Sequence, residues 1–299
     1  MSSRKISILI IGVLFLIGMI IPIQAFADTQ EEHCNITMDI KIDESGIASI
    51  TENWDVELYA GSEMYKPYYN LQDSKIRNLT VTDETGTKYE YQTSWKANAS
   101  QEEKAGKCGI NNISNGQEIC WGIGSYGKHV YTVSYEITNF VYIQDGKQVS
   151  YFRLIQPKTE PEPESIQITV SGPFEFTENN VTASGSGFTG TTSIVDGVVK
   201  VSTSSGLKSS QCVDLDLKFE DESFSNLSES DYLENKYNAD DKEYNQGMTE
   251  KEKREAEENT QEKRNSFVKK VLIIVIIIIL IIFITRGRND YNNRNYYNY

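Results

Sequence analysis

From Asn35 to Leu58 the chain reads NITMDIKIDESGIASITENWDVEL. Apolar residues fall at every second position, with Ile36, Met38, Ile40 and Ile42 on one side and Asn35, Thr37, Asp39 and Lys41 on the other. After Asp43-Glu44-Ser45-Gly46 the alternation resumes at Ala48, Ile50, Trp54, Val56 and Leu58. A period of two is that of a strand with one buried and one wet face, the pattern antiparallel sheets allow. One residue breaks it. Glu52 is in phase with Ile50, Trp54 and Val56, so an ideal strand places its carboxylate on the apolar face, where it needs a partner or hydrogen bonds. It is either a cation or proton site, or one half of a structural contact with a partner such as Arg77 or a backbone turn. The structural contact is the favoured expectation.

The same period recurs along the chain. YTVSYEIT aligns Tyr131, Val133, Tyr135 and Ile137, and SIQITV and VDLDLKF repeat the pattern up to Phe219. Asp145-Gly146 and Asp196-Gly197 each separate two short apolar runs; such pairs signal two-residue hairpin turns, since Gly accepts the positive φ of a type I′ turn. The fold class that follows is all-β, an antiparallel β-sandwich of one or two subdomains. QPKTEPEPES holds three of the six prolines and cannot be a central strand. It is expected to connect two β layers, with any split of the domain near 156–164.

The two ends of the chain differ from this block. Arg4 and Lys5 precede an apolar run from Ile6 to Ile23, and Ala25-Phe26-Ala27 has the A-x-A form of a cleavage site. Residues 1–27 therefore read as a signal peptide cut between Ala27 and Asp28, with an uncleaved signal anchor as the alternative. Residues 223–266 are polar and charged and read as a stalk; within it Thr249 and Glu252 have capping-box spacing, and Glu250–Arg254 and Lys253–Glu257 are helix-compatible pairs. Residues 267–285 would span about 28 Å as a helix, enough for a hydrocarbon core of about 30 Å if Lys269 and Lys270 snorkel outward. Arg286 and Arg288 at the far boundary fit the positive-inside tendency. Residues 286–299 form an Asn- and Tyr-rich tail. The expectation is a single-pass, type I membrane protein whose block 28–222 is extracellular. The span has no central ionisable residue, no G-x-x-x-G and no Pro, so channel or transporter roles lack support.

Between Asp28 and Glu222 stand thirty acidic and fifteen basic residues, about −15 net. Such a surface keeps a domain soluble and makes nucleic acid or anionic lipid poor partners. All four cysteines, Cys34, Cys108, Cys120 and Cys212, lie in this block. An even count outside the cytoplasm suggests disulfides, with three connectivities open. Asn115-Gly116 can turn the chain between Cys108 and Cys120, which leaves Cys34 for Cys212. Six N-x-S/T sequons, at Asn35, Asn78, Asn98, Asn112, Asn180 and Asn226, matter only in a host that glycosylates asparagine.

No catalytic constellation is legible. The only histidines are His33 and His129, and His129 reads as a surface or packing residue. There is no H-E-x-x-H, Walker loop, G-x-S-x-G or zinc-ligand spacing, and the Ser205/Lys208 S-x-x-K sits in a strand-rich context that does not suit acyl transfer. Neither a catalytic residue nor a cofactor is assigned.

Three stretches carry a likeness: IDESGIASITENW, EMYKPYYNLQDSKIRNLTVTDETGTKYEY and IGSYGKHVYTVSYEITNFV. Their order resembles the bacterial predicted membrane proteins called domain of unknown function 2207, over about Asn35 to Glu220. The family's D-G-x-x-x-V-x-E stretch falls on Asp43 to Glu52, and its G-x-H-x-Y-x-x-x-Y stretch on Gly127, His129, Tyr131 and Tyr135. The resemblance implies a signal peptide, a β-rich exported domain and a membrane anchor, and no reaction. This chain departs from the family in its short tail and in carrying SYFRLIQPKTEP where the family has a Trp-containing segment. The expected function is a membrane-anchored binding module of the cell envelope, with an envelope protein or polysaccharide as partner. The alternative is an envelope enzyme or cation-dependent factor using carboxylates such as Glu52.

Overall fold

The computed structural model describes residues 32–220 and 223–229. The expected leader with its cut at Ala27–Asp28, residues 230–266 of the stalk, the span 267–285 and the tail lie outside the described residues. Among the described residues no helix is long and apolar enough to cross a membrane.

The described chain is all-β. Its strands are β1 (His33–Ile42), β2 (Ala48–Leu58), β3 (Glu63–Tyr69), β4 (Ile76–Thr82), β5 (Glu90–Gln92), β6 (Lys107–Ile113), β7 (Gly116–Gly122), β8 (Gly127–Ile137), β9 (Tyr142–Gln144), β10 (Lys147–Ile155), β11 (Ser165–Ser171), β12 (Val181–Ser186), β13 (Gly190–Val195), β14 (Val198–Thr203) and β15 (Val213–Phe219). One short helix, α1 (Gln101–Lys104), opens on a Ser100/Glu103 capping box. Seven strands form one sheet in the order β13-β14-β11-β1-β2-β8-β4, and two four-stranded sheets follow the orders β12-β15-β10-β9 and β3-β7-β6-β5. The large sheet is mixed, because β1 pairs antiparallel with β2 and parallel with β11. Residues 156–164 carry the chain from β10, in one small sheet, to β11 in the large one.

Alternation does what the sequence suggested. Ile36, Met38, Ile40 and Ile42 of β1, Ile50, Trp54 and Val56 of β2, and Tyr131, Val133, Tyr135 and Ile137 of β8 are all buried. They belong to one hydrophobic cluster that also includes Ile119 and Trp121 of β7 and Leu215 and Leu217 of β15. The two small sheets thus cover one face of the seven-stranded sheet, and each fully buried aliphatic contributes about 1.5–3 kcal/mol. Both predicted hairpin turns have the expected form, with positive φ at Asp145, Gly146, Asp196 and Gly197.

The other face of the large sheet is wet. The registers align a row across all seven strands, Thr191–Ser202–Gln167–Thr37–Asn53–Thr132–Thr82. Beside it runs a second row from Ser193 to Thr80 in which Lys200 and Asp39 are the charged members.

The domain holds its own exit. In residues 223–229, Phe224 is buried against Phe219, the Ser225 N–H donates to Glu44 O (3.0 Å) and the Ile143 N–H donates to Ser228 O (2.9 Å). Leu227 packs on the core and reaches Gly46, where an added Cβ would stand 2.6 Å from Leu227 Cδ2 and 2.7 Å from Val141 O. The chain therefore leaves beside the β1–β2 turn, at the end of β1 opposite His33.

Candidate functional site

Glu52 lies on β2 with β1 on one side and β8 on the other, opposite Met38 and Val133. It is fully buried. Its partner is Lys66, from the middle of β3, 4 % exposed, whose ammonium donates to Glu52 Oε1. This corrects the expectation for Arg77, which sits on the wet face and pairs instead with Glu136 (2.8 Å). The two parities decide it: Glu52 points to the core side of the large sheet, and Lys66 comes from the small sheet packed against that side.

Around the pair the hydrogen bonding closes. Trp54 Nε1–H, two residues along β2, donates to Glu52 Oε2 at 2.8 Å. The Tyr135 hydroxyl donates to Glu52 Oε1, and with that proton committed, the Tyr68 hydroxyl donates to the Tyr135 oxygen at 2.6 Å. The Lys66 ammonium is also 3.4 Å from the Tyr135 oxygen and 4.9 Å from the Tyr68 ring centroid, close enough for a cation–π contact. Burial pulls the Lys66 ammonium down, but the Glu52 carboxylate and the Tyr68 oxygen more than offset it, so its pKa stands above the ordinary lysine value. Burial, then the Glu52 carboxylate, holds the Tyr135 hydroxyl well above its usual value. The result is an ionised pair sealed between two sheets, with each carboxylate oxygen accepting from a protein donor. Its chemistry is structural: it fixes where β3 docks on β2 and β8.

Two further charged pairs lie on the outer sides of the small sheets, away from the large one. Lys104 of α1, 3 % exposed, stands 3.3 Å from Glu63 Oε1 of β3 and donates to Ser62 Oγ (2.9 Å), while Trp95 Nε1–H donates to Glu63 Oε2. Burial raises the Glu63 carboxyl, with Lys104 and Trp95 drawing it back. Arg153 and Asp214 face each other across β10 and β15 and meet through two hydrogen bonds, of 2.7 and 3.2 Å. Lys66, Lys104 and Glu63 escaped the sequence reading because β3 offers EMYKPYY, where Tyr and Pro mask the alternation; the S-x-x-E at Ser100–Glu103 was the one local sign of α1.

The cysteines do not pair as expected: no disulfide is present among the described residues. β6 and β7 join through a two-residue turn that sets Ile113 opposite Gly116, Cys108 opposite Trp121 and Cys120 opposite Gly109. Cys108 therefore faces the core with Trp121, while Cys120 points to the other side of its sheet, beside Glu118. Burial pushes the Cys108 thiol up to about 11 and lifts the Cys34 thiol further, with Glu164 adding to it. Cys212 Sγ lies 3.5 Å from Asp214 Oδ2. The histidines are separate: His33 Nδ1 stands 3.0 Å from Glu164 Oε1, and His129 stands 3.1 Å from Glu84 and stacks on Tyr131. Among the described residues no group of three or more His, Cys, Asp or Glu is placed to hold a metal ion.

These features define a class, an all-β domain of three sheets in which one buried ion pair joins two layers. The chain belongs to the family described as Predicted membrane protein (DUF2207) N-terminal domain, whose model matches residues 34–219. No curated protein matches the sequence. Among solved structures it is similar to a proposed protease of Parabacteroides distasonis, at 12% identity over 64% of this chain and 41% of that one, with a TM-score of 0.36. It is also similar to an M1 zinc metallopeptidase of Deinococcus radiodurans, at 10% identity over 63% and 42%, with a TM-score of 0.32. The chain spans less than half the length of either. At these scores neither likeness bears on what this chain does.

Proposed function

We propose that this protein is a single-pass, membrane-anchored surface module whose β domain works by binding a component of the cell envelope. The observation that carries the reading is the division of the large sheet, one face sealed by two smaller sheets and the other open across seven strands. On the sealed face Glu52 is spent on Lys66, leaving the open face as the broad surface on offer. Membership of a predicted membrane protein family supports attachment to a membrane. The finer topology is part of the proposal: leader removed after Ala27, domain outside, helix at 267–285, tail 286–299 inside.

The test uses full-length protein in its own cells. External protease should remove the domain from intact cells, and a photo-crosslinker at Asn53 should attach it to an envelope component. Protection of the domain from external protease would overturn the topology; a crosslinker at Asn53 that captures no envelope component would overturn the binding role.

A further inference from the structure

The middle of the open face is neutral, while the rows that flank it carry Lys41, Arg77 and Glu136 on one side and Asp55, Glu57 and Lys128 on the other. The block 28–222 carries about −15 net charge, yet the row from Thr191 to Thr82 contains hydroxyls and carboxamides and no ionised group. In the adjoining row Lys200 is matched by Asp196 (3.3 Å) and Asp39 by Lys41 (3.2 Å), so that row is locally neutral too. Among the described residues, the large exposed hydrophobics Tyr91, Tyr126, Val130 and Val195 lie off both rows; Val130 and Val195 flank them on the same face.

Side chains along the first row are linked. Thr132 Oγ1–H donates to Asn53 Oδ1 at 2.8 Å, and Asn53 Nδ2–H points to Thr37 Oγ1 at 3.4 Å; in the second row the Thr51 and Ser134 hydroxyls are 3.2 Å apart. These contacts orient Thr37, Asn53 and Thr132 in the middle of the row, and Thr37, Asn53, Gln167 and Ser202 are exposed. With strands about 4.8 Å apart, seven strands present donors and acceptors along a twisted path of about 29 Å.

We propose that this face is the binding surface of the module and that its ligand is a strand of uncharged polysaccharide. The proposal rests on the envelope-binding reading and narrows it to one ligand class. An anionic polymer is repelled by the domain's charge. A protein partner would want aromatic or apolar anchors at the centre of the contact, and the two rows have none. A neutral, hydroxyl-rich polymer matches a neutral array of hydroxyls and amides, and its repeating units meet repeating strands.

The experiment is co-sedimentation of the detergent-solubilised full-length protein with insoluble cellulose, chitin and mannan, with polygalacturonate gel as the anionic control. Retention by at least one neutral glycan is expected, unchanged by added salt. The Thr37→Val/Thr51→Val/Thr132→Val variant keeps side-chain shape and strand preference but removes three hydroxyls, and should bind at least about tenfold more weakly. Thr182→Val, on β12 of a small sheet, should bind as wild type, and matching thermal melts would establish that all three proteins fold. The proposal is overturned if no neutral glycan retains the wild type, if the triple variant binds equally, or if salt abolishes retention. Capture of an envelope protein through the Asn53 crosslinker, without glycan retention, would leave the module reading standing and remove the polysaccharide.

Discussion

Lys66 and Glu52 have no solvent to fall back on. Removing one charge strands the other in the core, and breaking such a pair costs about 3–5 kcal/mol, whereas replacing both ions by apolar or neutral groups of similar volume is often close to neutral. Lys66→Met and Glu52→Gln should therefore each lower the denaturation midpoint sharply, while the double variant should lie well above the sum of the two losses; additive losses in guanidinium titrations would show that the pair is not coupled. The same cluster sets a pH limit. Lys66 and Tyr135 both have folded pKa values above their ordinary ones, so the native state holds those protons more tightly than the unfolded chain. Their contribution is complete below the unfolded values, about pH 10, and is lost as pH rises through the folded ones. Thermal melts from neutral pH upward should stay flat and then fall above about pH 10. Tyr135→Phe, less stable at neutral pH, should fall less steeply there.

At the scale of elements, two turns of nearly the same sequence offer a controlled comparison. DESGI and DETGT both wrap on the first Asp, whose Oδ1 accepts from the backbone N–H groups two and four residues on, and both place Gly at positive φ, +76° at Gly46 and +80° at Gly86. Around Gly86 there is open space, whereas Gly46 is pressed by Leu227 and Val141. Gly86→Ala should cost about 1–2 kcal/mol, the backbone penalty of a left-handed L-residue. Gly46→Ala should cost clearly more, and Leu227→Ala in the Gly46→Ala background should recover part of the excess. Equal losses at the two glycines would mean that the exit segment does not bear on this turn. These elements also show what the sequence could disclose. Alternation and Asp-Gly turns are local, so β1, β2, β8 and both hairpins were readable. Which strand faces which is not local, so Lys66 could not be matched to Glu52, nor β11 to β1. The cysteine pairing failed on parity: across a two-residue turn, facing positions sum to an odd number, and 108 with 120 does not.

For the whole molecule, the excess of acidic side chains is a standing repulsion that the folded state concentrates. Raising salt from about 0.1 M to about 1 M shortens the screening length from about 10 Å to about 3 Å, and the melting temperature should rise with it. A fall would show that exposed pairs such as Arg77–Glu136 and Lys128–Glu57 matter more than the net charge. The parallel pairing of β1 with β11 has a consequence in time. Asn35 meets Ser165, 130 positions later, so the middle of the large sheet cannot close while the chain is half made. Synthesis delivers β1 and β2 first, and they must wait as a hairpin with one strand edge unfilled until β11 arrives. Long-range closures of this kind are slow, on the order of milliseconds to seconds. The β1 edge therefore stays open until more than half of the chain has emerged, and the seven-stranded sheet cannot be completed before then.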